Sequence, residues 1–131
     1  MTGARVGDAC ILFVDDEEDN RSLVKEILGF HGYRVLLASD GEEAIAIYRE
    51  HQACIAGVVL DLIMPKMGGR ETLIALKELN PDVPVLMISG YTEDDEIRRI
   101  LEEDSAWFLR KPFQLADLVA RVEELVQSGS R

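Results

Sequence analysis

The sequence predicts an α/β domain: a doubly wound, five-stranded parallel sheet with helices on both faces. Five short runs rich in Val, Ile, Leu and aromatics recur at residues 10–14, 33–38, 57–60, 83–88 and 106–109, which is strand length and strand composition. These runs are nearly continuous rather than alternating, the pattern of a strand covered on both faces, as in a parallel sheet. Apolar residues at helical spacing fill the segments between them, so strands and helices alternate and the connections are right-handed crossovers.

Taken in order, the first strand leads into a helix carrying Leu23, Val24, Ile27 and Leu28 on one stripe, with Gly32 placed to end it. Asp40-Gly41 turns the second strand into a helix whose stripe is Ala44, Ile45, Ile47 and Tyr48. After the third strand, Pro65 and Gly68-Gly69 precede a helix with Leu73, Ile74, Leu76 and Leu79 on its inner side, and Asn80-Pro81 ends it. A fourth helix is read from Ile97, Ile100 and Leu101. The last is the most strongly patterned: Leu115, Leu118, Val119, Val122, Leu125 and Val126 form one stripe, and Asp117, Arg121, Glu123 and Glu124 lie on the other side.

Composition bounds the class. With 131 residues, one domain is the default, read here as residues 9–127 with flexible ends at 1–8 and 128–131. Twenty-five acidic residues against 14 Lys and Arg leave a net charge of −11, which argues against a nucleic-acid partner. No apolar run approaches the roughly 18 residues of a membrane span and no signal-peptide pattern opens the chain, so the expected location is the cytoplasm. Cys10 and Cys54 lack CxxC spacing and read as buried thiols.

In a doubly wound sheet, ligands bind beyond the carboxyl ends of the strands. There the sequence is unusually polar: the first strand runs into Asp15-Asp16, the third into Asp61, the fourth ends at Ser89, and the fifth runs into Lys111. Glu17, Glu18 and Asp19, by contrast, read as first-turn residues complementing a helix dipole. Three converging carboxylates repel one another, and a divalent cation relieves the repulsion. Oxygen ligands without nearby His or Cys favour Mg²⁺, with Mn²⁺ as a substitute. An Asp carboxylate can then act as nucleophile on a phosphoryl group while the metal and an ammonium neutralise the transition-state oxygens. Asp61, Mg²⁺ and Lys111 are the parts this chemistry needs.

Four motifs in order, ILFVDDEEDNR at 11–21, DLIMPKMGG at 61–69, VLMISGY at 85–91 and FLRKPF at 108–113, make the sequence resemble the receiver domain of two-component response regulators. The resemblance implies the flavodoxin-like strand order 2-1-3-4-5 and identifies Asp61 with the phosphoacceptor. It implies that a histidine kinase, a histidine phosphotransfer domain or a small acyl phosphate supplies the phosphoryl group. It further implies Mg²⁺ held by Asp16 directly, by Asp15 largely through water, and by Asp61 and the Ile63 backbone carbonyl. Lys111 matches the residue that pairs with the phosphoryl oxygens, and Ile63, Met64, Gly90 and Tyr91 flank the group. Ser89 and Phe108 match a coupled switch in which the hydroxyl turns to the phosphoryl group and the ring swings inward behind it. The expected readout is a downstream partner or fused domain on the face of the fourth helix, fifth strand and fifth helix, with the chain a monomer or a phosphorylation-dependent dimer.

The SGY and RKPF wording resembles receivers at the carboxyl end of hybrid sensor kinases. Bulky Ile63 and Tyr91 at positions flanking the hydrolytic water predict slow loss of the phosphoryl group. Apart from self-catalysed phosphoryl transfer and that slow loss, no enzyme activity is expected. Two other readings compete. A haloacid-dehalogenase-type phosphohydrolase needs a DxD first-strand motif, where this chain has Asp15-Asp16-Glu17-Glu18. A pseudo-receiver binding module would leave these acceptor residues unused.

Overall fold

The computed structural model describes residues 9–61, 68–89, 107–110 and 113–129. Within them, strands β1 (Cys10–Val14), β2 (Arg34–Ala38), β3 (Ile55–Asp61), β4 (Val85–Ser89) and β5 (Trp107–Arg110) form one parallel sheet in the order β2-β1-β3-β4-β5. The described helices are α1 (Glu18–Phe30), α2 (Gly41–His51), α3 (Gly69–Leu79) and α4 (Leu115–Gly129). The helix read at Ile97, Ile100 and Leu101 lies outside the described residues. Because β1 sits between β2 and β3, the chain first winds to one side and then to the other. The carboxyl ends of β1 and β3 therefore flank the point where winding reverses.

Burial explains the continuous strand runs. All five residues of β1 are buried, and they alternate between two layers. Cys10, Leu12 and Val14 join Ala44 and Tyr48 of α2 and Leu73 and Leu76 of α3. Ile11 and Phe13 join Val24 and Leu28 of α1 and Leu118, Val119, Val122 and Leu125 of α4. Helical stripes are narrower than the sequence suggests: Leu23 and Ile74 remain 49% and 42% exposed. Of the two thiols, Cys10 is fully buried and Cys54 only partly.

Local chemistry sets the element ends. α1 closes through His31 into Gly32, whose φ of 96° is a left-handed conformation that glycine adopts without strain. Asp40 caps α2 by accepting from the Glu43 N–H at 2.8 Å. At α3, the Glu71 carboxylate reaches back to the Gly68 N–H at 3.0 Å, and the buried Thr72 hydroxyl donates to the Gly68 carbonyl at 2.8 Å.

Several boundaries differ from those read in the sequence, each for a local reason. β2 starts at Arg34, because Tyr33 still donates to the Leu28 carbonyl and belongs to the end of α1. β4 starts at Val85 rather than 83, since Val83 donates into a turn with Asn80 and Pro84 has no N–H to give the ladder. The last helix continues to Gly129, into the segment expected to be a flexible end.

β3 is the informative case, starting at Ile55 instead of at Gly57. Cys10 pairs with Ile55 but Ile11 pairs with Gly57, so Ala56 forms an irregularity that the alternation pattern could not reveal. Gly57, which reads as a strand start, is an interior residue. A Cβ there would lie 2.8 Å from Leu125 Cδ2 and 3.2 Å from Leu125 Cγ, so α4 packs directly on the strand backbone. Gly57→Ala is accordingly expected to overpack this contact and to destabilise the fold by about 1–3 kcal/mol, read as a lower urea midpoint with an unchanged m-value.

Burial also pushes the Cys10 thiol from its ordinary 9.0 up to about 11, reinforced by the neighbouring Cys54 thiol and opposed by Arg34. Tyr33 is raised too, by burial and then by the charge of Glu123. A raised acid keeps its proton in the folded chain after the unfolded chain has lost it, so stability is full below pH 9 and falls as pH climbs towards 11. For Cys10 the loss is on the order of 2 kcal/mol across that window, and urea titrations at intervals of pH should show it shrink in Cys10→Ala.

Candidate functional site

Parallel register delivers the acids to one place. Val14, the last residue of β1, pairs with Ala38 of β2 and Leu60 of β3, so Asp15 and Asp61 follow at the same level of the sheet edge. The Asp15 N–H continues the ladder by donating to the Ala38 carbonyl at 3.1 Å. Both acids are largely withdrawn from solvent, at 3% and 8% exposure, whereas Asp16 is exposed. One carboxylate oxygen from each of Asp15, Asp16 and Asp61 lies within 4.8 Å of the others.

Asp15 is held on three sides. Its Oδ1 accepts from the Glu17 N–H at 2.8 Å, a short-range bond that turns the chain out of β1 towards α1. Its Oδ2 accepts from Asn20 Nδ2 at 3.3 Å, and the same Nδ2 donates to Glu17 Oε1 at 2.9 Å. Its backbone carbonyl accepts from an Arg21 NH group at 2.7 Å. Glu17 itself is the extended residue preceding α1, with Glu18 and Asp19 in the first turn beside the positive end of the helix dipole.

Buried carboxylates are costly to hold together unless a cation or donors offset their mutual repulsion. The donor set is all oxygen, two members buried and one open to water, with no His or Cys in the group. That chemistry fits a hard divalent cation with retained waters, Mg²⁺ before Zn²⁺ or Cu²⁺. The three sequence-predicted acids are thus brought together by the fold.

Other predicted site residues are placed only in part. Ser89 closes β4 immediately after Ile88, the strand partner of Asp61, and pairs with Arg110. Phe108 lies in β5 opposite Met87. The side chains of Ser89 and Phe108, together with Ile63, Met64, Gly90, Tyr91 and Lys111, lie outside the described residues. Asn20 and Arg21 were missed as site residues. Both lie in the first turn of α1, and only the position of that helix start beside the end of β1 brings them to Asp15.

The site and fold match known proteins. The family profile "Response regulator receiver domain" matches residues 11–123. The chain is 36% identical over 121 residues to "Sensor kinase CckA" of Brucella abortus (strain 2308), covering 92% of this chain and 13% of that kinase. It therefore spans a small part of that relative's length. Among solved structures, a response regulator receiver domain protein from Clostridium thermocellum superposes with a TM-score of 0.85 at 30% identity, covering 91% of this chain and 94% of the other. A chain of the CheX-CheY-BeF3-Mg²⁺ complex from Borrelia burgdorferi gives 0.83 at 31% identity, covering 89% and 88%. Among the described residues no helix is long and apolar enough to cross a membrane. Matched along nearly its whole length in sequence and in fold, with the paired acids of β1 beside the acid of β3, the chain belongs to the response regulator receiver domain family of two-component systems.

Proposed function

We propose that this receiver accepts a phosphoryl group on Asp61 and uses it to switch a partner-binding face. The observation that carries the reading is the convergence of the Asp15, Asp16 and Asp61 carboxylates within 4.8 Å at the winding reversal of the sheet. The donor is a histidine kinase or a histidine phosphotransfer domain, or a small acyl phosphate; similarity to a sensor kinase over 92% of this chain supports that partnership. The complex from Borrelia burgdorferi, which contains Mg²⁺ and BeF3, supports the choice of cation.

In this reading Asp16 directly, Asp15 largely through water, and Asp61 with the Ile63 carbonyl would hold Mg²⁺, with Mn²⁺ able to replace it. When bound, the cation neutralises charge on the transferring phosphoryl oxygens. Asp61 attacks phosphorus in line with the departing imidazole or acyl oxygen, and Lys111 pairs with the phosphoryl oxygens. Ser89 then turns to the new group and Phe108 moves inward behind it, a bistable packing element biased by charge. Phe108 has no hydroxyl, so a partner senses ring burial and strand position rather than a phenol hydrogen bond. The readout is the face of β5, α4 and the helix read before β5, in a cytoplasmic domain of residues 9–127. Receiver domains are signalling modules rather than turnover enzymes, and slow autodephosphorylation is the only hydrolysis ascribed to this one.

Intact mass after incubation with acetyl phosphate tests the reading. A single phosphoryl adduct is expected with Mg²⁺, absent without it and absent in Asp61→Asn. No adduct in any condition would leave a phosphorylation-independent binding module. Adduct lifetime gives a second test: the double variant Ile63→Asn, Tyr91→Glu should lose phosphate faster than the native chain if bulky side chains shield the acyl phosphate from water, and an unchanged lifetime would refute the shielding.

A further inference from the structure

We propose that Asn20 is a positioning residue for the acid cluster: its amide aims the Asp15 carboxylate and so sets the affinity for the divalent cation. The inference rests on the metal reading above and adds a residue to it. Asp15 has two carboxylate oxygens to fix. A backbone N–H, that of Glu17, holds Oδ1 at 2.8 Å, and this bond alone leaves the group free to pivot. Asn20 Nδ2 supplies the second point at Oδ2, 3.3 Å away.

The amide's orientation is chemically determined. Nδ2 faces two carboxylates, Asp15 Oδ2 and Glu17 Oε1, both acceptors only when ionised, so the NH2 end and not the carbonyl end must point there. Glu17, whose carboxylate accepts at 2.9 Å, thereby braces the amide from the solvent side.

The division of labour between neighbours sharpens the argument. Arg21, the cation beside Asn20, spends its short 2.7 Å bond on the Asp15 backbone carbonyl rather than on the carboxylate. A neutral donor thus orients the acid while the positive charge is directed at the main chain. A cationic donor on Asp15 Oδ2 would compete with a divalent ion for the same negative charge; an amide orients without competing. Partners that orient metal-binding groups in this way are worth about 10–100-fold in metal affinity.

The test is calorimetric titration of the full chain with MgCl2, for the native sequence and for Asn20→Ala, Asn20→Gln and Asn20→Lys. Expected are about tenfold weaker binding in Asn20→Ala, near-native binding in Asn20→Gln, which keeps the donor, and a loss in Asn20→Lys at least as large as in Asn20→Ala that diminishes as salt is raised. At saturating Mg²⁺ the rate of acetyl phosphate labelling in Asn20→Ala returns to the native value, a split between affinity and maximal rate that general loosening of the fold would not give. Native affinity in Asn20→Ala, or Asn20→Gln as weak as Asn20→Ala, overturns the assignment while leaving the metal reading intact. A native chain that binds no Mg²⁺ overturns both.

Discussion

Everything at the site depends on β1 being buried from both sides while hydrogen-bonded along both edges. Five consecutive apolar residues, Cys10–Val14, leave no polar side chain to compromise either layer, and from Ile11 to Val14, beyond the irregularity at Ala56, the strand keeps one register with β2 and with β3. The register matters more than the burial. A shift of one residue would exchange the two core layers and also move Asp15 away from the level of Asp61. The free energy that fixes the acids in place is therefore hydrophobic and remote, contributed by Leu12, Val14, Ile11 and Phe13 rather than by contacts among the acids themselves.

The acid cluster is the local opposite of that strand. Residues that repel one another are held at the sheet edge by a scaffold that would be content without them, a pattern common where chemistry is done. What softens the conflict here is fine-grained: a backbone N–H, a neutral amide and a guanidinium each take a different acceptor on Asp15. Asp16, one residue on, stays open to water and carries the solvent-facing share of the ligand set.

Much of this was legible in the sequence, and the reasons differ by element. Strands covered on both faces announce themselves as unbroken apolar runs, and acids abutting such runs are conspicuous because nothing about the core calls for them. The β3 start was not legible: Gly57 looks like punctuation, and only the approach of Leu125 to the strand backbone explains a glycine inside the strand. Helical spacing overstates the buried width of the stripes, since Leu23 and Ile74 satisfy the spacing yet stay about half exposed. Asn20 and Arg21 were hidden for another reason. Their role depends on where the helix starts relative to the strand end, a distance that linear spacing between polar residues does not encode.

The sorting of β1 side chains into two layers has a consequence for how the molecule can vary. Leu73 and Leu76 on one side and Leu118 and Val122 on the other belong to separate clusters with only the sheet in common. Substitutions made in the two layers should therefore combine additively, with little epistasis across the sheet. A lineage could remodel the outward surface of α1 and α4, and with it the set of molecules that surface meets, while the buried stripes of both layers keep the strand register unchanged. Modularity in this domain is thus a property of the interior, written into the alternation of a single strand.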